Sequence, residues 1–384
     1  MDGMTTDGST TTGFTTDGST TTGSTTTGFT TDGSTTTGST TTGSTTTGLT
    51  TDGSTTTGLT TDGSTTTGVS ADRFDTGRFE ADRARLASLS YRLLGSAADA
   101  EDVVQDAFLQ WQAADRRRIR VPEAWLTKVV THLCLDRLRS ARARRERAVG
   151  AWLPEPLLDG DPMLGPADTF EQRESVSLAV LTLMERLSPL ERAVYLLREA
   201  FSYSHAEIAG ILDVTESASQ QHLHRARSRL TAARRRGGAD EVDPVSTRRI
   251  VEEFLDAASS GRTERLVALL TDDVTAISDG AGLTGKLLRY DTPRRVAAVA
   301  RAGFTPTRAK RRFAGGTPAV HSALVNGAPA LLFVLGGRVI GCVTFDVVGG
   351  RIATVRGIAA PARLARLGEA WRRREPEAPL VARW

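Results

Sequence analysis

Cysteine is nearly absent: Cys134 and Cys342 are the only two in 384 residues. They lie far apart in apolar surroundings. That excludes a disulfide framework and a zinc-ligand spacing, and it fits a reducing cytosol. Long apolar runs are missing too; none approaches the roughly 18 residues a membrane helix needs. No basic-then-apolar leader opens the chain. The net charge is only +3, so any basic character that matters is local. The expectation is a cytoplasmic protein with no membrane partner, no metal and no cofactor. The length allows two or three domains.

Residues 5–69 are poor in apolar side chains. They form thirteen pentads of the types TTDGS, TTTGS, TTTGF and TTTGL. Each pentad offers at most one apolar residue, too little burial to offset the entropy of ordering. A solenoid of short repeats would point mostly Ser or Gly inward. Residues 1–70 are therefore expected to be a disordered tail.

What is present begins after that tail, and its most telling stretch is SYSHAEIAGILDVTESASQQHLHRARSRLTAARRR, residues 202–236. Ile208, Ala209 and Leu212 share one face of a first helix over 205–212. Thr215 is placed to N-cap a second helix over about 216–234. There Ala218, Leu223, Ala226 and Leu230 point inward. Gln220, Gln221, His224, Arg225, Arg227 and Arg229 point elsewhere. Residues 217–240 hold six Arg against one acid. A short helix, a turn and a longer basic helix suit a helix-turn-helix with its second helix in a DNA major groove. A plain solvated basic face is the competing reading.

Residues 79–150 read as helical. Leu86, Leu89, Leu93 and Leu94 line one helix. In DAEDVVQDAFLQWQ the apolar stripe is Val103, Val104, Ala107, Phe108 and Trp111, and the exposed acidic face is Asp99, Glu101, Asp102, Gln105 and Asp106. Acids near a helix N-terminus are also favoured by its dipole alone. Residues 116–147 then carry eleven Lys or Arg against three acids. Pro122 opens an amphipathic helix within that block. Trp125 beside Lys128 and His132 suits unstacked bases and phosphates; the alternative is that Trp125 belongs to the core.

The ordered set DAEDVVQDAF, AWLTKVVTHLCLDRLRSARARRE and the helix-turn-helix ending HRARSRL resembles the bacterial extracytoplasmic-function sigma factors of the sigma-70 family. WLPEPL (152–157) resembles the linker of the sigma-J-like subgroup, which carries a fused SnoaL-like domain. SDGAG (278–282), VNGAPALLF (325–333) and GGRVIGCVTFDVVGGRIATVRGI resemble elements of that domain. The resemblance covers roughly residues 79–367. It implies a sigma-70 region 2 domain over 79–150, a linker over 151–174, a region 4 helix-turn-helix domain over 175–236, a SnoaL-like domain over 245–360 and a C-terminal tail over 361–384. The implied fold is multidomain: two all-α sigma domains plus an α+β, cone-shaped SnoaL-like domain. The implied partners are core RNA polymerase and promoter DNA. Asp99, Glu101, Asp102, Gln105 and Asp106 would meet polymerase. Arg117, Arg118, Arg120, Trp125, Lys128, Thr131, His132 and Arg139 would melt and read the −10 element. Ser217, Gln220, Gln221, His224, Arg225 and Arg227 would read the −35 duplex. Trp152, Pro154, Asp279 and Gly280 would carry regulatory contacts. Two departures stand out. Gln220 stands where the family usually has a basic residue, and AAPARL (359–364) lacks the Asn and Asp of the family's segment there.

Chemistry supports the division of labour. Single-stranded DNA needs cations plus an aromatic or a pocket for a flipped base. Duplex needs a helix that offers Gln or Arg to base edges and Arg to phosphates. The C-terminal third reads as α+β, with Gly349-Gly350 as a hairpin signal. A SnoaL-like cone can hold a small-molecule ligand in its mouth, and relatives of that fold include enzymes. Asp279 could act as a base with His321 as its partner, but no nucleophile–base–orienter set can be read. The alternatives carried forward are an ordinary helix-turn-helix regulator, and a SnoaL-like enzyme or ligand sensor with a DNA-binding appendage.

Overall fold

Thr, Gly and Ser pair into short ladders in the N-terminal unit, residues 1–78. Here β1 (Thr25–Thr31) pairs antiparallel with β2 (Ser34–Ser39), and β3 (Thr45–Leu49) pairs antiparallel with β4 (Thr55–Leu59). An isolated two-stranded hairpin is marginal in water. The structure, a computed structural model, describes residues 25–31, 34–39, 45–49, 55–59, 66–145, 153–165, 174–234, 244–283, 287–375 and 377–384. Most of the repeat, and with it the expectation of disorder there, lies outside the described residues.

The second unit is Phe79–Trp384, and its first helix starts before that boundary. Three helices come first: α1 (Thr66–Leu94), α2 (Ala97–Ala113) and α3 (Pro122–Arg145). The Ser96 hydroxyl accepts from the Asp99 N–H at 3.2 Å and starts α2. Four more follow: α4 (Leu178–Met184), α5 (Pro189–Glu199), α6 (His205–Leu212) and α7 (Glu216–Arg234). Capping boxes open α5 and α6, Ser188 with Glu191 and Ser204 with Glu207. Asp213 ends α6 in the left-handed region, φ 54°, which Asp tolerates better than most residues. The Ala218 N–H donates to the Thr215 hydroxyl at 3.1 Å, the expected cap of α7.

These helices share one core. Leu89, Val104, Trp111, Leu126 and Val130 from the first three join Val194, Leu197, Ile208, Leu223 and Leu230 from the last four. The two helical parts that the sequence separates at 150 and 175 thus pack directly against each other.

The C-terminal part begins with α8 (Pro244–Ser259) and α9 (Thr263–Leu269). Its sheet takes β5 (Leu270–Ser278), β6 (Leu288–Tyr290), β7 (Ala319–Val325), β8 (Ala328–Leu335), β9 (Arg338–Val348) and β10 (Arg351–Ile358) in the order β6-β5-β10-β9-β8-β7. Only the β5–β10 pairing is parallel. Three tight turns join the last four strands, at Asn326-Gly327, Gly336-Gly337 and Gly349-Gly350, and all six residues have positive φ. Two such residues in a row give the hairpin turn whose twist matches the strands.

Two helices, α10 (Pro293–Phe304) and α11 (Arg308–Ala314), lie between β6 and β7. One sheet face packs on α8, α9 and α10 through Phe345, Val347 and Val355 against Phe254, Leu266 and Val296. The space there holds an aromatic chain: Phe254, Phe304, Phe333 and Trp384, with neighbouring ring centroids 4.9–5.6 Å apart. The other face packs on α12 (Pro361–Arg373) through Leu364, Leu367 and Trp371, and on Leu153, Leu158 and Leu178. The expected C-terminal tail over 361–384 is thereby corrected. Pro361 suits a first helical turn, and Leu364, Leu367 and Trp371 form an apolar stripe that the sheet buries.

Candidate nucleic-acid and polymerase interfaces

Along α7, the side that turns from the core presents Ser217, Gln220, Gln221, His224, Arg225 and Arg227, all exposed. Gln220, Gln221, His224 and Arg225 line one open recess. Amides, an imidazole and a guanidinium in a row are the groups that hydrogen-bond base edges and phosphates. Neighbouring acids hold the arginines in place. Arg227 pairs with Glu199 at 2.7 Å, and Arg229 with Glu191 at 2.6 Å. Arg225 donates to His222 Nδ1 at 3.3 Å. A guanidinium cannot accept, so this imidazole nitrogen carries no proton. Burial, and then the Arg225 charge, lower the His222 pKa below its ordinary value.

The −10 candidates divide into two groups. Arg117, Arg118, Arg120 and Arg139 are exposed. Arg118 pairs with Asp115 at 3.3 Å and Arg139 with Asp136 at 3.0 Å. The other four are engaged by other parts of the protein. Trp125 packs against Trp111 with ring centroids 5.7 Å apart. Thr131 is buried and donates to the Thr127 carbonyl at 2.7 Å. Lys128 Nζ reaches Asp213 Oδ1 at 2.5 Å and the Gly210 carbonyl at 3.1 Å. His132 Nε2 donates to the Ile211 carbonyl at 2.8 Å. The Lys128 hydrogen bond holds the Asp213 carboxyl below the usual carboxylate range. As folded here, α3 grips the turn of the helix-turn-helix, and these four side chains do not form an open surface.

On α2, Asp99, Asp102 and Gln105 are exposed. Asp106 accepts from Arg137 at 3.0 Å. Glu101 is held by Arg366 of α12, which also binds Asp161 through two hydrogen bonds of 2.7 and 2.9 Å. Leu109, 56 % exposed, continues this face with an apolar contact. Its position off the apolar stripe was the signal available in the sequence.

The regulatory candidates fall at the seam with the C-terminal part. Trp152 lies outside the described residues. Pro154 is buried. Glu155 beside it accepts from Ser96 Oγ at 2.8 Å and the Ala97 N–H at 2.9 Å, closing the start of α2. Asp279 accepts from the N–H groups of Ala281, Ala359 and Ala360, each at 3.0 Å. These bonds fix the start of α12. Gly280 turns the chain there with φ 56°. His321 Nδ1 donates to the Glu377 carbonyl at 3.2 Å, and its ring meets Trp371 at 5.0 Å.

Sequence reasoning did not single out Asn326. It is 1 % exposed and sits at the tip of the β7–β8 hairpin. Its Oδ1 accepts from the Leu157 N–H, and its Nδ2 donates to Tyr91 Oη and the Val176 carbonyl, all at 2.8 Å. Tyr91 Oη in turn donates to the Glu155 carbonyl at 2.7 Å. One side chain thus joins α1, the linker, the segment before α4 and the C-terminal sheet.

A helix-turn-helix with an open Gln/His/Arg face, beside a helical bundle with an acidic helix and an arginine ledge, defines a DNA-binding protein of the sigma-70 kind. Sigma-70 region 2 matches residues 78–144 and sigma-70 region 4 matches residues 177–230. The chain is 40 % identical over 200 residues to the ECF RNA polymerase sigma factor SigJ of Mycobacterium tuberculosis (strain ATCC 25618 / H37Rv). That alignment covers 52 % of this chain and 63 % of the relative, slightly under two thirds of its length. The chain is 30 % identical over 287 residues to the probable ECF RNA polymerase sigma factor SigI of Mycobacterium tuberculosis (strain CDC 1551 / Oshkosh), covering 73 % of this chain and 92 % of that one. The crystal structure of Mycobacterium tuberculosis SigJ superimposes with a TM-score of 0.56 at 30 % identity, covering 76 % of this chain and 98 % of that one. The chain belongs to the extracytoplasmic-function family of RNA polymerase sigma factors.

Proposed function

We propose that this chain directs core RNA polymerase to a set of promoters and starts transcription there. The observation that carries this reading is the open row Gln220, Gln221, His224 and Arg225 on α7, held in the same unit as the exposed acids of α2. In this reading α7 lies in the −35 major groove, α2 docks on polymerase, and the Arg117, Arg118, Arg120 and Arg139 ledge meets the −10 strand. Trp125, Lys128, Thr131 and His132 join that ledge only after α3 parts from the helix-turn-helix. The protein works in the cytoplasm, where polymerase and promoters are; among the described residues no helix is long and apolar enough to cross a membrane. Its role is non-enzymatic.

The C-terminal part regulates by contact. Arg366 occupies Glu101 of the docking face, and Asn326 fixes the linker between the two sigma regions. The module thereby favours the closed arrangement in which Lys128 and His132 grip the turn.

Run-off transcription tests the central reading. Bacterial core polymerase, inactive on a cognate promoter alone, is expected to give a defined transcript when this protein is added. Absence of any promoter-dependent transcript across a promoter library would remove the initiation-factor assignment and favour an ordinary DNA-binding regulator.

A further inference from the structure

From residue 292 to residue 345 the chain has no aspartate or glutamate and eight arginine or lysine residues. Seven of the eight fall on α10 and α11. The apolar face of α10 (Val296, Ala297, Ala300 and Phe304) is buried in the C-terminal core, which turns Arg294 and Arg301 outward. In α11 no residue is buried. Arg308, Arg311 and Arg312 are exposed, and Phe313 is 72 % exposed beside them. Among the described residues no carboxylate pairs with Arg294, Arg308 or Arg312.

A helix with no buried side chain is usually loose, but this one is anchored. Lys310 Nζ binds the carbonyls of Ala302, Gly303 and Thr305, three groups left open at the end of α10. Its ammonium also lies 5.5 Å over the ring of Trp384, whose indole N–H donates to the Phe304 carbonyl at 2.7 Å. Arg311 Nε donates to the Trp384 carbonyl at 3.3 Å. Lys310 and Arg311 therefore build the platform, and Arg308 and Arg312 are left to face outward.

A solubilising surface mixes charges of both signs, because a one-signed field attracts polyanions. Here the field is one-signed, its cations are mostly arginine, which grips phosphate oxygens in a fork, and an exposed phenyl ring lies among them. We propose that α10 and α11 form a second DNA-binding surface, which holds the phosphate backbone of duplex DNA without reading its sequence. Phosphates complement the arginines, and sugar edges give Phe313 an apolar contact. Double-stranded DNA is favoured over an acidic protein surface by its uniform charge density, about one charge per 1.7 Å of axis. This surface goes beyond the promoter contacts of α7 and does not depend on them.

The test is binding of the full-length protein to fluorescent duplexes of random sequence over a salt series. Arg308→Glu with Arg312→Glu is expected to weaken binding roughly tenfold and to flatten the slope of log K against log salt by about 2, one step per lost phosphate contact. Phe313→Ser is expected to weaken binding severalfold without changing the slope. An unchanged melting temperature certifies that the exposed substitutions leave the fold intact. Gln221→Ala serves as the contrast: it removes preference for a cognate promoter and leaves the random-duplex slope alone. If Gln221→Ala has no effect while the Arg308/Arg312 slope changes, the promoter reading fails and this proposal stands. Unaltered affinity and slope in the double-Glu variant overturn it. So does a loss confined to core polymerase binding, which would assign the patch to a protein partner.

Discussion

Asn326 shows how much one side chain can hold. Its backbone adopts φ 52°, a left-handed conformation that Asn accepts more readily than most residues. Its amide meets the Leu157 N–H, the Tyr91 hydroxyl and the Val176 carbonyl with no water exposure. Asn326→Ala would leave the buried Leu157 N–H and Val176 carbonyl unpaired, at about 1–3 kcal/mol each before relaxation, while Tyr91 Oη keeps its bond to the Glu155 carbonyl. The expected loss in urea unfolding is about 2–4 kcal/mol, and Tyr91→Phe should lose less. A loss below about 0.5 kcal/mol would show that the seam does not depend on this residue. Although only Gly349-Gly350 is read as a hairpin from the sequence, the Asn-Gly pair is also a local hairpin signal. Its partners at Tyr91, Leu157 and Val176 are remote in sequence, and nothing local signals them. His222 gives a pH prediction. Its folded pKa is lowered, by burial first and then by the Arg225 charge. The unfolded chain therefore binds this proton more readily. The stability His222 contributes is present above its ordinary value near 6.5 and is lost as pH falls through the lowered folded value. Melting temperatures at pH 7 and pH 5 should fall less in His222→Gln than in the parent. Equal falls would rule out His222 as a contributor.

Elements were legible where caps and periodicity coincide. Thr215 and the spacing of Leu223, Ala226 and Leu230 place α7 where the structure has it. Helix α12 was missed because its four arginines mask a stripe of only three large apolar residues. That helix carries Arg366, which no local pattern distinguishes from its neighbours. Arg366 binds Asp161, whose side chain is nearly buried, as well as Glu101. Removing one partner of a buried pair costs about 3–5 kcal/mol, because the remaining charge keeps its desolvation penalty. Arg366→Ala should therefore destabilise the protein in urea while freeing Glu101. Core polymerase affinity, measured by surface plasmon resonance, should rise severalfold. Arg366→Gln with Asp161→Asn should recover most of the stability and retain the gain in affinity. If the double variant binds polymerase no better than the parent, Arg366 does not mask the docking face.

At the scale of the whole molecule, the sequence divides the chain into successive domains, whereas residues 79–384 pack as one unit. The division follows linkers, which composition reveals. The packing depends on contacts between distant segments, such as Lys128 with Asp213 and His132 with the Ile211 carbonyl. These contacts have a consequence for initiation. On the proposed reading, Lys128 and His132 reach the −10 strand only once they have released the turn. On that reading, polymerase binding separates α3 from α6. The exposed ion pair of Lys128 and Asp213 contributes little to holding them, so the apolar seam between the helices sets most of the cost. Opening can be read by fluorescence energy transfer between labels on Asp136→Cys and Ser228→Cys, both at exposed positions. The native thiols should stay silent: Cys134 and Cys342 are buried, and burial pushes the Cys134 thiol up to about 12, so the reactive thiolate is scarce. Transfer should be high in the isolated protein and fall when core polymerase is added. Asp102→Arg with Gln105→Arg should prevent that fall while leaving the starting value unchanged, since substitutions at these exposed positions barely affect stability. Undiminished transfer in a transcribing complex would mean that initiation proceeds in the closed arrangement, and that Lys128 and His132 never meet DNA.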